Sequence, residues 1–346
     1  MEYFVTGGTG FIGTNVVGQL IEKGHDVIAT TRSRANASHL PDEVEVVEAD
    51  ITDKESLREP MTGVDGVFHM AAWFYIGPGP RNREKAERIN VEGTRNVLEL
   101  IDELDIPKGV YTSTIAVFGD TDGRVVDETH RPDDPGLCVY FRTKWRAHYD
   151  VAEPMMEDGL PLVVVQPGAV FGPGDKEYGS VRSPFFDWFQ DDLPMLPRQF
   201  TFPFDYVEDT ARAHLLAMEK GEPGEEYIIA SEPRGIIDVF EQAAEMTGMS
   251  PPRAVSPLWF QLLASGMRPV EWLTTPPDGL EPEVFRTYGG TEILVDNSKA
   301  KDELGIEHRP FEKGLREYLE WESDQHDIET ELMDRTTQEA LTDTVS

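Results

Sequence analysis

The feature that most constrains this 346-residue chain stands at its start, where an apolar run, Tyr3-Phe4-Val5-Thr6, leads directly into Gly7-Gly8-Thr9-Gly10-Phe11-Ile12-Gly13. Gly7, Gly10 and Gly13 recur every third residue between an expected strand and an expected helix. Gly7 permits a tight turn, Gly10 lets the backbone come close to an anion, and Gly13 lets the helix pack on the strand. The helix start, with Phe11 and Ile12, then faces a pyrophosphate. A glycine triplet alone is a weak signal; its place between strand and helix gives it weight.

Apolar runs alternate with amphipathic stretches through the first half. Strands are expected at 3–6, 26–30, 44–48, 66–70, 108–112 and 162–166, and helices at 10–23, 85–103 and 140–158. Such βα alternation feeds a parallel sheet with right-handed crossovers. The expected fold is α/β, a Rossmann-type doubly wound parallel sheet with a smaller C-terminal substrate lobe. Its expected division is a dinucleotide-binding domain over 1–174, a mainly substrate-binding lobe over 175–322 that returns to the core near 204–232, and a tail over 323–346. The tail holds seven acidic residues and Arg335 as its one basic residue, and reads as a frayed helix or disordered.

Formal charge is 31 − 65 = −34. Phosphate backbones need a basic footprint, so nucleic acid is a poor partner. Acid spread along the whole length resembles the surface of proteins from salt-accumulating halophiles, where screening at about 1 M salt shortens the Debye length to about 3 Å. No apolar run reaches the roughly 20 residues of a membrane span, and the N-terminus reads as a strand rather than a secretory signal. The expected location is cytoplasmic, with no membrane partner. Cys138 is the single cysteine, which excludes an internal disulfide, and no metal site is expected.

After the second strand, Thr30-Thr31-Arg32 puts a guanidinium where a carboxylate would otherwise bind ribose hydroxyls. Arg32, with Arg34 nearby, can pair with a 2′-phosphate, so NADP(H) is favoured and NAD(H) stays admissible; the alternative is a solvated surface arginine. Asp50 and Ile51 follow the third strand and are candidates for adenine contact, or a cap or turn.

Tyr140-Phe141-Arg142-Thr143-Lys144 sets a phenol and an ammonium four residues apart, on one face if helical. A neighbouring cation stabilises phenolate, which suits general acid–base chemistry. Upstream, 109–114 ends in Thr112-Ser113-Thr114, at the sheet edge where open α/β sheets bind ligands. His69-Met70-Ala71-Ala72, Asn90-Val91-Glu92-Gly93-Thr94 and Gly172-Pro173-Gly174 complete a set in which residues 1–322 resemble the extended short-chain dehydrogenase/reductase family, the epimerase/dehydratase group. The resemblance implies that Thr114 bonds the substrate oxygen, with Ser113 as a substitute, and that Tyr140 gives or takes the proton. It also implies that Lys144 lowers the tyrosine pKa and bonds the nicotinamide ribose, that Asn90 helps hold a relay water, and that Met70, Ala71, Ala72, Pro167 and Gly168 line the cofactor. Relatives pair through the 85–103 and 140–158 helices, which leaves a homodimer admissible.

Ile115-Ala116 replaces the Asp-Glu pair of dehydratases, and the stretches Gln166-Pro167-Gly168-Ala169 and Phe202-Pro203-Phe204-Asp205-Tyr206-Val207 lack the diphosphate-binding residues of sugar-nucleotide enzymes. Trp73, Phe74 and Tyr75, with Phe185, Phe186, Trp188 and Phe189, suggest an apolar pocket, although such clusters also build plain cores. The expected reaction is NADP(H)-dependent interconversion of a moderately apolar ketone or aldehyde with its alcohol, resembling dihydroflavonol 4-reductase-like and hydroxysteroid dehydrogenase-like enzymes. The alternatives are a sugar-nucleotide epimerase and a non-catalytic cofactor sensor.

Overall fold

The structure, a computed structural model, describes residues 1–74, 80–134, 136, 138–175, 182–258, 262 and 289–325. Tyr75, residues 176–181, most of the stretch from 251 to 290 and the tail beyond 325 lie outside the described residues.

The chain runs β1 (Glu2–Thr6), α1 (Phe11–Glu22), β2 (Asp26–Thr31), β3 (Glu45–Glu48), α2 (Lys54–Met61) and β4 (Gly66–His69). A long helix follows as α3 (Pro80–Ala86), a π-helical turn (Glu87–Glu92) and α4 (Gly93–Glu103), then β5 (Gly109–Thr112) and the short β6 (Val125–Val126). The next helix also has three parts: α5 (Val139–Trp145), a π segment (Arg146–Ala152) and α6 (Glu153–Glu157). Beyond it lie β7 (Leu162–Gln166), β8 (Ala169–Phe171), α7 (Arg182–Phe189), β9 (Met195–Pro197), β10 (Thr201–Tyr206), α8 (Val207–Lys220), β11 (Glu226–Ile228), β12 (Pro233–Gly235), α9 (Ile236–Thr247), β13 (Arg253–Val255), β14 (Leu294–Val295) and α10 (Phe311–Gln325).

Seven parallel strands form the main sheet in the order β11-β7-β5-β4-β1-β2-β3. Strand order reverses between β1 and β4, which opens a crevice at their carboxyl ends. All six expected strands are present. The sequence reading did not place α2, which is charged and carries Pro60 inside it, or β11, which is three residues long and too short for a periodic signal.

Strict alternation divides the sheet between two cores. Tyr3, Val5, Val27, Ala29, Phe68, Val110, Val163 and Val165 face α1 and α8, burying Val16, Val17, Leu20 and Ala211. Phe4, Ile28, Val67, Tyr111 and Val164 face the other way, onto Leu57, Leu98, Ile101 and Val151. Each fully buried Leu or Val contributes roughly 1.5–3 kcal/mol. A third cluster joins α7, α9 and α10, where Phe185 stacks on Phe240 at 4.5 Å and Trp188 Nε1 donates to Ser250 O at 2.8 Å. Phe185, Trp188 and Phe189 are therefore core of this lobe, not pocket wall: aromatic side chains bury themselves for the same apolar reason in either role. No described helix is long and apolar enough to cross a membrane.

Candidate active site

The glycine loop ends β1 and starts α1. Gly7 has φ +74°, and a Cβ there would lie 2.7 Å from Ala71 N; a Cβ on Gly13 would lie 2.0 Å from Gly7 O. Only glycine fits either position. Gly10 is the residue before α1 and offers no side-chain cap, and the first turn carries no acidic residue. The amides of Phe11 and Ile12 thus have no partner within the helix, and the dipole favours an anion beside them. A backbone cradle that tolerates no Cβ and an uncapped helix start fit a dinucleotide pyrophosphate.

Arg32 is exposed just beyond β2 and makes no hydrogen bond or ion pair among the described residues, while the Arg34 amide donates to Glu48 Oε1 at 2.9 Å. Asp50 Oδ1 accepts from the amide and hydroxyl of Thr52, both at 2.9 Å, which makes a turn; Oδ2 has no hydrogen bond among the described residues. Ile51 is buried against Gly93, where a Cβ would lie 2.7 Å from Ile51 Cδ1, and Asn96 Nδ2 donates to Ile51 O at 2.8 Å. Met70 and Ala71 are half-buried after β4, and Ala72 is exposed.

Tyr140 and Lys144 lie on α5 beside the end of β5. The Thr114 hydroxyl interacts with Tyr140, and burial pushes the Tyr140 pKa up, with the nearby Cys138 adding to the rise and Thr114 opposing it. The sequence reading expected the lysine to lower that pKa. In the protein itself burial dominates, because a phenolate stripped of water is costly. Lys144 Nζ instead donates to Tyr111 Oη at 3.0 Å and Thr112 O at 2.8 Å. Burial without a carboxylate partner lowers its pKa to about 7.

Ser113 and Thr114 have different partners. Ser113 Oγ shares a hydrogen bond with His148 Nδ1 at 2.8 Å, and His148 Nε2 lies 3.2 Å from Glu226 Oε2. Thr114 begins a short turn, its Oγ1 accepting from Ala116 N at 3.2 Å. Asn90, on the π-helical turn, is fully buried. Its Oδ1 accepts from Trp73 N at 2.7 Å, and its Nδ2 donates to Trp73 O and Thr143 Oγ1, both at 3.0 Å. The side chain expected to help hold a relay water bonds a backbone segment and α5. That segment continues into Phe74, whose ring meets the Tyr140 ring edge-on at 4.7 Å.

Pro167 is buried, and the Gly168 amide donates to Asp205 Oδ2 at 2.6 Å while Oδ1 accepts from Ser231 N at 2.6 Å. Asp205 is completely buried, and burial raises its pKa against the pull of those amides and His308. The sequence reading missed this role, although the aspartate at the end of β10, in Asp205-Tyr206-Val207, was its signal. It also missed Tyr111, which no local spacing marks.

The loop, the crevice and the Thr114, Tyr140, Lys144 cluster all stand at the carboxyl edge of one sheet, and residues 3–230 match the model of the NAD dependent epimerase/dehydratase family. The chain belongs to that family. As an extended short-chain dehydrogenase/reductase, it is an NAD(P)-dependent enzyme acting on a small molecule. It is 30% identical over 331 residues to a provisionally named dihydroflavonol 4-reductase of Synechocystis sp., covering 92% of this chain and 94% of that protein. It is 31% identical over 323 residues to sterol demethylase protein B of Methylococcus capsulatus, covering 88% and 93%. Among solved structures, gox2253 superposes with a TM-score of 0.80 at 30% identity, covering 94% of this chain and 99% of that one.

Proposed function

We propose that this enzyme uses NADP(H) to reduce a moderately apolar ketone or aldehyde to the alcohol. The observation that carries the reading is the Phe74–Tyr140 contact: an aromatic ring, 41% exposed, stands edge-on against the proton-donating phenol. Such a wall suits a flat apolar carbonyl compound and offers no charge to a nucleotide diphosphate. Phe202 and Phe204 are buried apolar residues on β10 where diphosphate-binding enzymes of this family are expected to place charge. Reductase relatives support the same direction.

When bound, the nicotinamide supplies the hydride chemistry. Thr114 orients the carbonyl oxygen through its hydroxyl. Tyr140, kept protonated by burial, gives its proton to the nascent alkoxide. Lys144 spends two N–H groups on Tyr111 and Thr112 and keeps a third for the ribose hydroxyls and for stabilising phenolate. Gly7, Gly10, Gly13, Phe11 and Ile12 hold the pyrophosphate, Asp50 and Ile51 the adenine, and Met70, Ala71, Ala72, Pro167 and Gly168 the nicotinamide half. Arg32, exposed and unpaired among the described residues, takes the 2′-phosphate. Asn90 acts by positioning Trp73 and α5.

The test is turnover in molar salt with NADPH or NADH, against a panel of aromatic and aliphatic ketones and aldehydes and of nucleotide sugars. Net NADPH consumption with an aromatic ketone, and a preference over NADH that Arg32→Ala removes, is expected. Interconversion of a nucleotide sugar with no net change in nicotinamide absorbance would replace this reading with the epimerase.

A further inference from the structure

Lys144 is buried, yet no carboxylate among the described residues pairs with it. Its ammonium rests on a neutral hydroxyl, Tyr111 Oη, and on the Thr112 carbonyl. Tyr111 points off β5 onto the face covered by α4 and α5, with Nζ also 4.6 Å from its ring centroid. The ring also stacks on His69 at 5.4 Å, and its hydroxyl lies near that of Thr94.

Behind Tyr111 the polar groups form a continuous buried chain. Thr94 Oγ1 donates to Asn90 O at 2.7 Å and lies 3.0 Å from His69 Nε2; His69 Nδ1 lies 2.7 Å from Thr6 Oγ1; Thr6 Oγ1 accepts from Ala71 N at 3.3 Å. One set of proton positions satisfies Thr6, His69 and Thr94 together. The Ala71 amide donates to Thr6, the Thr6 hydroxyl to His69 Nδ1, His69 Nε2–H to Thr94, and Thr94 to Asn90 O. Tyr111 accepts from Lys144, with the Thr94 hydroxyl near its own. Thr6 is the last residue before the glycine loop, and Ala71 is the backbone against which Gly7 packs. The chain therefore joins the phosphate loop to the ammonium that the proposed reaction uses.

We propose that Tyr111 is a positioning residue for Lys144, holding its ammonium at the sheet edge and, with Thr94 and His69 behind it, setting the pH at which that ammonium loses its proton. The role as stated rests on the reductase reading, but the hydrogen-bonded chain can be tested without it. The titratable groups facing Lys144 are His69 on β4, Tyr111 on β5 and Tyr140 on its own helix; α4 contributes the hydroxyl of Thr94. His69 is held neutral by burial first and by the Lys144 charge second, its pKa lowered to about 3, so it adds no positive charge near neutral pH.

The experiment follows lysine side chains labelled with ¹³C at Cε by NMR across pH in the full-length protein, with Lys144 assigned by its loss in Lys144→Arg. One lysine is expected to titrate near pH 7. Tyr111→Phe keeps the ring and removes the acceptor, so the ammonium is less favoured and the midpoint falls by about one pH unit, a tenfold shift in the protonation equilibrium. Thr94→Val, which removes the hydroxyl beside Tyr111, is expected to move the midpoint by less than Tyr111→Phe does, and serves if Tyr111→Phe folds poorly. With a carbonyl substrate in hand, the high-pH limb of kcat/KM shifts in parallel. An unmoved Lys144 midpoint overturns the proposal, as does a uniform loss of rate at every pH. Absence of any carbonyl turnover in the unsubstituted enzyme would overturn the reductase reading while the Lys144 titration still decides on Tyr111.

Discussion

Asn90 grips both polar ends of Trp73: its Oδ1 accepts from the Trp73 amide at 2.7 Å and its Nδ2 donates to the Trp73 carbonyl at 3.0 Å. The same Nδ2 reaches Thr143, whose Oγ1 donates to Tyr140 O at 3.1 Å, so one amide fixes both the strand-end segment carrying Phe74 and the helix carrying Tyr140.

Removing that clamp takes three hydrogen bonds from a fully buried side chain, each worth about 0.5–1.5 kcal/mol. Asn90→Ala is expected to lower stability to urea by roughly 2–4 kcal/mol, because all three bonds are lost at once. Phe74→Ala, at a half-exposed ring, should leave stability nearly unchanged and raise KM for an aromatic ketone by about tenfold, in line with the 0.5–1.5 kcal/mol of an aromatic contact. Urea unfolding and steady-state kinetics on the two variants separate scaffold from pocket.

Gly13→Ala places a methyl group inside contact distance of Gly7 O. The loop must move, so NADPH binding is expected to weaken at least about a hundredfold, with a loss of stability of a few kcal/mol. Fluorescence transfer from tryptophan to nicotinamide measures the first and thermal unfolding the second.

His69 and His214 are buried and neutral, their pKa values lowered by burial to about 3 and about 4. The unfolded chain protonates both near pH 6.5, above either folded value, so the unfolded state binds protons first on acidification. Their contribution to stability is complete above pH 6.5 and is lost as pH falls from there through 4 to 3. The full effect is roughly 3–5 kcal/mol for each. His214→Gln should flatten its share of the slope of unfolding free energy against pH.

A formal charge of −34 makes the folded chain repel itself in dilute buffer. Raising KCl from 0.1 to 2 M is expected to raise Tm by on the order of 10 °C, mostly below 1 M, where the Debye length shrinks fastest. A salt-independent Tm would remove the halophile reading of the acidic surface.

Local spacing carried much of this architecture. Gly7, Gly10 and Gly13, and Tyr140 with Lys144, are separated by three or four residues, so backbone geometry alone brings each group onto one turn or one helix face. Tyr111 and Lys144 are 33 positions apart and His69 and Thr94 are 25 apart, and no periodicity reports a contact made by packing a helix on a sheet. Phe185 and Trp188 stayed open between pocket and core for a different reason: pocket walls and cores are built from the same apolar surface, and only the position of Phe240 in space decides between them. Asn90 was legible as a motif member, but its grip on Trp73 depends on where the segment after β4 runs.

The proposed role of Tyr140 as proton donor in an NADPH-dependent carbonyl reduction is tested by single-turnover oxidation of bound NADPH by a saturating aromatic ketone, in Tyr140→Phe and in the unsubstituted enzyme. The rate in the variant is expected to fall by about 10²–10⁴-fold, the range of a lost general acid, with NADPH affinity retained. A variant that oxidises NADPH at the original rate would contradict it.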